Sequence, residues 1–443
     1  MEKMTRRSFS KMSAGAAAAM AGIKGTSAAI RTSPVSPNDR LTVGLIGAGG
    51  MGMGDLRDML RIPEVDCLAL ADVDMRRVEM NRSSVEELRG KKPEGYQDFR
   101  RIIERKDIDM VIVGTPDHWH ALPTILACQE GKDVYCEKPL ATSIAEGRVM
   151  VRASEKYGRI VQVGTQQRSA GHFRDAVEYV QSGKLGKIRH VRAWAYIDWT
   201  GALGKPPDEK PPAEVDYDMW LGPATLRPFN PARFHFTFRW FWDYSGGLMT
   251  DWGAHMVDVV MWAMNEDPVG AMATGGKYGY PDDIMETPDT QQSIVEFPSF
   301  SMTWEHMLGC GQGPWEREHG CEFHGEDGIL VVDRGGWEVH PETSAIGKPK
   351  FYRMTPVPRQ PASADYHFAH VKNFVDCVKS RQQPVANVAL HHKSVNACHL
   401  ANIAARLRTQ IRWDAKTETA TGHPDVDKYV KREYRAPWKL PEL

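Results

Sequence analysis

A carboxylate and an imidazole stand four residues apart in the apolar segment GGLMTDWGAHMVD, as Asp251 and His255. The composition predicts one helix from Leu248 to Met264, on which side chains at this spacing share a face and can touch. A carboxylate beside an imidazole orients the ring and raises its basicity, which suits a histidine that accepts a proton near neutral pH. A helix-capping Asp and a satisfied core histidine give the same spacing, and for an isolated pair that interpretation is the commoner one.

A second candidate for chemistry is the glycine-rich segment LTVGLIGAGGMGMGDL. It predicts a strand over Leu41–Ile46, a G-x-G-x-x-G loop and a helix that begins at Met51. Glycines at this spacing allow a tight turn, close approach of the backbone to a pyrophosphate, and close packing of helix on strand. The phosphates would then face the amides of the helix N-terminus. The residues expected to contact the cofactor are Gly47, Gly49, Gly50, Met51 and Gly52.

An acidic residue follows at the end of the next apolar run, VDCLALADVD, about 20 residues past the last glycine. A carboxylate there accepts hydrogen bonds from the adenosine ribose and repels a 2′-phosphate, so Asp72 favours NAD over NADP. Asp74 is the alternative if the register differs by two residues. The competing interpretation is a glycine-rich turn without a cofactor.

The elements that position these residues alternate between apolar strands and helices up to residue 165. Such alternation predicts a doubly wound parallel sheet with helices on both faces, a Rossmann domain over 41–165. Ligands of these sheets bind beyond the carboxyl ends of the strands. Polar groups that follow successive strands should therefore converge there: Gly114–Asp117, Glu137–Pro139 and Gly164–Arg168.

From residue 166 to 443 the pattern indicates a second, α+β domain. Its longer alternating strands predict a large, mostly antiparallel open sheet with one covered face. The segments that carry this pattern are KIRHVRAWAYIDW, QQSIVEFPSFSMTWEHM and CEFHGEDGILVVD. Of the seven cysteines, only Cys310 and Cys321 are candidates for a disulfide, and the others read as buried small hydrophobes.

Composition limits the range of partners. The 443 residues carry a formal net charge of −1, with 26% charged and 42% hydrophobic residues, so no basic excess points to nucleic acid. No apolar stretch reaches the roughly 18 residues of a spanning helix, and we expect no membrane insertion. No recognisable ligand spacing predicts a metal site.

The N-terminus carries an export pattern. TRRSFSK is followed by an Ala-rich apolar run and small residues, which predicts a twin-arginine signal peptide over 1–29 and a linker over 30–40. We therefore expect the twin-arginine machinery as a partner and the periplasm as the destination. Because that route carries folded proteins, we expect a tightly bound cofactor to be acquired before export.

Taken together, the motifs resemble the Gfo/Idh/MocA oxidoreductases, which include glucose-fructose oxidoreductase and inositol dehydrogenase. The exported branch of the family, with its PDHWH segment, is most similar. The matching motifs are the glycine loop, E-K-P at 137–139, G-T-Q-Q-R at 164–168, W-L-G-P at 220–223 and G-G-x-x-x-D-W-G-A-H at 246–255.

The resemblance implies roles for particular residues. Lys138 would lie over the nicotinamide and hydrogen-bond the reacting oxygen, while Asp251 and His255 would form the proton-accepting pair. The remaining cofactor contacts expected are Thr115, Pro116, His120, Glu137 and Gln166. The remaining substrate contacts expected are Arg168 and Trp252.

Three functions fit these expectations. The first is an NAD(P)-dependent oxidoreductase that acts on a sugar or glycoside carbinol. The second is an NAD-dependent glycosidase that works by transient oxidation, elimination and re-reduction. The third is a cofactor-loaded sugar-binding protein without turnover, against which intact Lys138 and His255 argue. The resemblance also implies a homo-oligomer, a dimer or tetramer.

Overall fold

A computed structural model describes residues 40–344, 351–421 and 423–443. The predicted signal peptide and all but the last residue of the predicted linker lie outside the described residues. Across those described ranges, no helix has the length and apolar character needed to cross a bilayer.

A six-stranded parallel sheet forms the first half of the chain. Its strands are β1 (Leu41–Ile46), β2 (Val65–Ala71), β3 (Glu94–Tyr96), β4 (Met110–Val113), β5 (Asp133–Cys136) and β6 (Val161–Val163). The spatial order is β3-β2-β1-β4-β5-β6, with every neighbouring pair parallel. This is the strand order of a dinucleotide-binding sheet, so the predicted Rossmann fold is confirmed.

Helices alternate with these strands: α1 (Gly50–Met59), α2 (Met75–Arg89), α3 (Arg100–Ile103), α4 (Ala121–Gln129) and α5 (Ile144–Tyr157). Helix α3 is only a single turn. The Asp98 carboxylate accepts a hydrogen bond from the Arg100 amide at 2.9 Å, and this local side-chain contact turns the chain after it leaves β3.

A ten-stranded sheet forms the second half. Its strands are β7 (His190–Ile197), β8 (Gly270–Gly276), β9 (Thr290–Glu296), β10 (Ser301–Leu308), β11 (His319–His324), β12 (Gly328–Asp333), β13 (Gly336–Pro341), β14 (Val357–Pro361), β15 (Ile411–Asp414) and β16 (Thr419–Thr421). Their order is β14-β13-β12-β11-β7-β10-β9-β8-β15-β16, and β7 with β10 is the parallel pair. Residues along β10 alternate between half-buried and buried, as in a sheet with one covered face. The predicted mostly antiparallel sheet is confirmed.

Two segments expected as single long strands are hairpins instead. The amide of Phe297 donates to the carbonyl of Phe300 at 3.0 Å, which closes a tight turn between β9 and β10. Pro298 follows Phe297 in this turn, where its fixed φ is favoured. The amide of Gly325 likewise donates to the carbonyl of Gly328 at 2.9 Å between β11 and β12. Alternation continues across both turns, so periodicity alone did not reveal them.

The helices of the second half are α6 (Gly171–Gln181), α7 (Tyr217–Leu221), α8 (Gly247–Asp251), α9 (Gly253–Met264), α10 (Tyr366–Ser380), α11 (Val388–Leu407) and α12 (Asp427–Val430). The single helix predicted over Leu248–Met264 is therefore interrupted, and Trp252 is the residue between α8 and α9.

Helix α10 packs against the first sheet rather than the second. Its residues Val371, Phe374 and Val375 are fully buried in the same core as Val43 and Leu45 of β1. The chain thus returns to complete the Rossmann core.

Ion pairs at the start of α10 fix this helix to α1. The ring of His367 lies 3.0 Å from Asp55 and 2.6 Å from Asp58, both on α1. Burial would lower the pKa of His367, but hydrogen bonds and charges from the two carboxylates raise it to about 10.

The candidate disulfide is absent. Cys310 is exposed, Cys321 is buried, and both are free thiols. The thiol of Cys321 points instead to the carbonyl of Met256 at 3.4 Å.

Candidate active site

A cavity of about 400 Å³ lies at the carboxyl ends of the first sheet. Most of the residues predicted to hold a cofactor line it: Gly47, Gly49, Gly50, Met51, Asp72, Thr115, Pro116, His120, Glu137 and Lys138. His235, Phe236 and Phe238, which precede α8 in the second domain, line its opposite side. The cavity is therefore shared by both halves of the chain.

The glycines of the loop allow close approach of backbone at two positions and leave open space at a third. Gly47 has φ +90°, and a Cβ there would lie 2.6 Å from the backbone of Gly114. A Cβ on Gly52 would lie 2.4 Å from the Gly47 carbonyl oxygen, so Gly52 packs helix on strand and does not line the cavity. A Cβ on Gly50, by contrast, would meet nothing within 4 Å. The first turn of α1 has neither an acidic residue nor a side-chain cap, so its amides suit a pyrophosphate.

Asp72, not Asp74, faces the cavity. Asp74 caps α2 and forms an ion pair with Arg76 at 2.8 Å. Burial raises the pKa of Asp72 to about 6, and its Oδ1 accepts a hydrogen bond from the Asp74 amide. Arg77 lines the same end of the cavity, with Nη1 3.1 Å from the position of a Cβ on Gly49. Sequence reasoning did not single out Arg77, which has no motif of its own.

Two unpartnered polar atoms mark the other end of the cavity. Thr115 Oγ1 and Glu137 Oε1 are buried and have no hydrogen-bond partner. Burial, and then the nearby charge of Asp55, raise the pKa of Glu137. The ring of His120 bridges the carbonyls of Pro139 and Thr115 at 2.6 and 2.9 Å, which ties two strand ends together. The orphaned atoms and the glycine loop fit a dinucleotide in this cavity.

Lys138 is held by an ion pair between the two halves of the chain. Its Nζ donates to Asp251 Oδ1 at 2.7 Å and to the Asp251 carbonyl at 3.2 Å. Arg239 Nε also donates to Asp251 Oδ1, at 3.2 Å. Burial would raise the pKa of Asp251, but the two cations overcome this effect and lower it to about 2. The carboxylate is ionised and anchors both cations.

His255 is a neutral imidazole with one unprotonated ring nitrogen. Its Nδ1 lies 3.0 Å from Gln167 Oε1, which can only accept, so Nδ1 carries the hydrogen and Nε2 is left as the basic atom. Burial, and then the charge of Lys138, hold the pKa of His255 well below its usual value. The ring is therefore neutral at pH 7 and lies within the electrostatic influence of Lys138.

The predicted contact between Asp251 and His255 is not formed. The Asp251 carboxylate turns to Lys138 and Arg239, and the imidazole turns to Gln167. Two cations attract a buried carboxylate more strongly than a neutral ring does. The expectation that Asp251 raises the basicity of His255 was therefore wrong.

Two other predicted site residues lie elsewhere. The guanidinium of Arg168 donates to Asp258 at 2.7 and 2.9 Å in a buried bidentate pair, and it does not line the cavity. An arginine engaged in this way is not free to bind substrate. Gln166 begins a 3₁₀ turn and does not line the cavity either. Its neighbour Gln167 reaches His255, and the G-T-Q-Q-R motif was the signal for it.

Trp252 lies beside His255, outside the set of residues that line the cavity, and its contact with substrate stays a prediction. Its ring centroid is 5.9 Å from that of His255 and 4.4 Å from that of His319. The guanidinium carbon of Arg334 lies 4.6 Å from the indole centroid. Sequence reasoning missed both His319 and Arg334, which come from the far sheet. Within the ranges that the structure describes, no cluster of three or more His, Cys, Asp or Glu residues has the arrangement of a metal site.

Comparison with known families gives the same two halves. Residues 41–165 match the family model described as the NAD-binding Rossmann fold of the Gfo/Idh/MocA oxidoreductases. Residues 180–274 and 359–440 match the C-terminal alpha/beta domain of the same family. The chain belongs to the Gfo/Idh/MocA oxidoreductase family.

Several Gfo/Idh/MocA relatives carry names of sugar or polyol enzymes. Inositol 2-dehydrogenase of Rubrobacter xylanophilus is 35% identical over 160 residues, 35% of this chain and 44% of the relative. Levoglucosan dehydrogenase of Pseudarthrobacter phenanthrenivorans is 30% identical over 170 residues, 38% of this chain and 43% of the relative. The chain thus spans less than half the length of either relative.

The same architecture occurs in a solved structure of an aldose-aldose oxidoreductase from Caulobacter crescentus. The TM-score is 0.63 at 19% identity, covering 84% of this chain and 99% of that one. At this identity the likeness shows a shared fold.

Proposed function

We propose that this protein oxidises a carbinol of a sugar or glycoside with a bound NAD, and that Lys138 and His255 act on the hydroxyl group. The observation that carries the proposal is the pairing of a fixed ammonium with a neutral imidazole. Lys138 lines the cavity, and its charge acts on a ring whose Nε2 is free to accept a proton. The names of the relatives support a sugar or polyol as substrate.

The cofactor and the protein side chains have separate roles in the reaction. A bound nicotinamide supplies the hydride acceptor for the carbinol carbon. The Nε2 of His255 takes the hydroxyl proton, since Gln167 occupies the hydrogen on Nδ1. The ammonium of Lys138 donates to the carbinol oxygen and stabilises the negative charge that develops there. Loss of one C–H hydride and one O–H proton leaves a keto sugar.

Asp251 acts in this scheme as a positioning residue. Asp251 accepts two hydrogen bonds from the Lys138 ammonium, one at its carboxylate at 2.7 Å and one at its main-chain carbonyl at 3.2 Å. Because Lys138 follows β5 of the first domain and Asp251 ends α8 of the second, the pair also fixes the two halves of the site.

We propose that the cofactor is NAD rather than NADP. Asp72 lines the cavity where the adenosine ribose would lie and would repel a 2′-phosphate. Arg77 beside it would attract such a phosphate, so the preference depends on Asp72.

The proposal places the enzyme in the periplasm as a homo-oligomer. The order of arginine pair, apolar run and small residues supports twin-arginine export with NAD already bound. The uncovered face of the second sheet, on which Ile294 of β9 is 39% exposed, supports the use of that face in a dimer or tetramer.

The test compares the holoenzyme with two site variants. Mass spectrometry after denaturation should find NAD in the wild type, and neutral glycosides and free sugars should reduce it, as seen by absorbance. Lys138→Met and His255→Asn should keep bound NAD but lose about 10²- to 10⁴-fold in turnover. Lys393→Met, a surface lysine paired with Asp267, is the control and should stay active.

Three results would contradict the proposal. Unchanged turnover in Lys138→Met would remove the lysine from the reaction. Absence of any nicotinamide reduction across the panel would indicate a binding protein. In deuterated water, incorporation of deuterium at a ring carbon together with release of the aglycone would identify the oxidation–elimination glycosidase instead.

A further inference from the structure

Arg334, at the turn between β12 and β13, is an arginine without a partner. Its Nε is buried and makes no hydrogen bond. Within the described ranges, the guanidinium forms no ion pair, whereas the adjacent Asp333 binds Arg317 and Arg359 at 3.1 and 2.8 Å. Burial lowers the pKa of Arg334. A desolvated guanidinium without an acceptor is costly unless a ligand supplies one.

The surroundings of Arg334 leave its donors available. Its guanidinium carbon lies over the Trp252 indole, 4.6 Å from the centroid. A guanidinium stacked on an aromatic face keeps its N–H groups in the plane, where they can form two parallel bonds to a carboxylate. His319 lies against the same indole, with its ring tilted by 39°, and both of its ring nitrogens are buried without a partner. Both groups thus present unused hydrogen-bonding capacity beside one aromatic platform.

This platform adjoins the reacting groups. The indole of Trp252 contacts Arg334 on one side and the His255 ring, at 5.9 Å between centroids, on another. The charge of Arg334 also contributes to the low pKa of His255. One indole therefore lies next to both the proposed base and the free guanidinium.

The charges around the site favour an anion. Lys138 and Arg239 share the one carboxylate of Asp251, whose charge also acts on Arg334. Two further carboxyl groups, Asp117 and Glu137, are buried, and burial raises the pKa of both, that of Glu137 to about 8. With Glu137 protonated at pH 7, the three cations exceed the carboxylates of Asp251 and Asp117.

We propose that Arg334 binds a carboxylate of the substrate, so that the sugar oxidised at this site is a uronic acid or a glycoside of one. This inference rests on the proposed function, because it names the substrate class of the same site. Trp252 would cover the apolar face of the sugar ring, and His319 would donate or accept at a ring hydroxyl. The guanidinium would bind the acid group away from the carbinol that loses hydride.

Matched pairs of ligands test the inference. The methyl glycosides of glucose, galactose and mannose are compared with their uronic acid counterparts, which differ only in carrying a carboxylate at C6. Affinity for the NAD-loaded enzyme is measured by calorimetry, and reduction of the bound nicotinamide is followed separately by absorbance. We expect at least one uronide to bind roughly 10-fold or more tightly than its neutral partner, in a salt-dependent manner.

The variants isolate Arg334. Arg334→Gln should weaken uronide binding by about 10- to 100-fold and leave neutral glycosides within about twofold. Arg334→Lys keeps the charge but not the planar guanidinium. Its affinity for the uronide should lie between those of the wild type and Arg334→Gln, and it provides the test if the Gln variant does not fold. Arg192→Gln is the control, since Arg192 is paired with Glu305 on the second sheet and should affect neither ligand.

The outcomes separate this inference from the proposed function. If no uronide binds more tightly than its neutral partner, or if Arg334→Gln keeps the preference, the carboxylate site is refuted. Reduction of the nicotinamide by neutral glycosides alone would refute it while keeping the oxidoreductase. Tight, Arg334-dependent binding of a uronide without any reduction would keep the site and refute the oxidation.

Discussion

The Asp251→Asn variant is the most informative perturbation of this protein, because one carboxylate holds two cations. Asparagine keeps the shape of the side chain and removes its charge. In the wild type the pKa of Asp251 is lowered from 3.8 to about 2, with Lys138 and Arg239 as the cause that outweighs burial. Since one pKa unit corresponds to about 1.4 kcal/mol, the ionised form is favoured by about 2 kcal/mol in the fold.

The structure allows this magnitude to be bracketed. Removing one partner of a fully buried ion pair costs about 3 to 5 kcal/mol, because the other charge stays buried and unpaired. Here the side chains of Lys138 and Arg239 remain 12% and 20% exposed, so water can partly solvate them. We therefore expect Asp251→Asn to lower the free energy of unfolding at pH 7 by about 2 to 3 kcal/mol.

Urea unfolding at saturating NAD measures this change, because a common ligand concentration removes differences in cofactor occupancy. Asp267→Asn, at an exposed pair with Lys393, is the matched control and should change stability by less than about 1 kcal/mol. A depressed pKa contributes stability above pH 3.8 and loses it as the pH falls through about 2. The difference between wild type and Asp251→Asn should accordingly shrink in acid.

Two results would refute this reasoning. The first is an Asp251→Asn protein within about 0.5 kcal/mol of the wild type and with normal turnover, which would show that the carboxylate anchors neither cation. The second is a stability difference that grows as the pH falls, which has the wrong sign for a group with a lowered pKa.

Three further predictions concern the cofactor half. Asp72→Ala should weaken NAD binding and, because Arg77 remains, should shift the ratio of the affinities for NAD and NADP toward NADP. Titration with both nucleotides measures this ratio, and an unchanged ratio would contradict the prediction. Gly47→Ala should abolish NAD binding, because its Cβ would lie 2.6 Å from the backbone of Gly114 at a residue with φ +90°. The control is Gly54→Ala, whose Cβ would have no atom within 4 Å. This variant should keep NAD binding and, in thermal unfolding, should stabilise α1 by up to about 1 kcal/mol. His367→Gln should lower stability at pH 7. Because the pKa of His367 is raised from 6.5 to about 10, that loss should fade as the pH rises to 10, and a difference independent of pH would exclude the ion pair.

The fold of the first half was predictable from local patterns. The bounds of β1 (Leu41–Ile46) are those that the sequence indicated, because a continuous apolar run is a property of neighbouring residues. β3 (Glu94–Tyr96) was missed. Its three residues carry no apolar pattern, and the strand exists only because it pairs with β2.

The site shows the same division between local and distant causes. Spacing placed Asp251 and His255 close together, but it gave no information about competing partners. Lys138, 113 residues away in the chain, decides where the Asp251 carboxylate points. Arg334 reaches the site through the packing of a turn from a separate strand, and no motif specifies such an approach.

The position of α10 has a consequence for how the enzyme is made. Its residues Val371, Phe374 and Val375 fill the hydrophobic interior behind the glycine loop, and His367 clamps it to α1. A ribosome reaches these codons only after more than 360 of the 443 residues have been synthesised. The interior of the first domain is therefore completed late in translation, and a fragment ending near residue 165 would lack part of it.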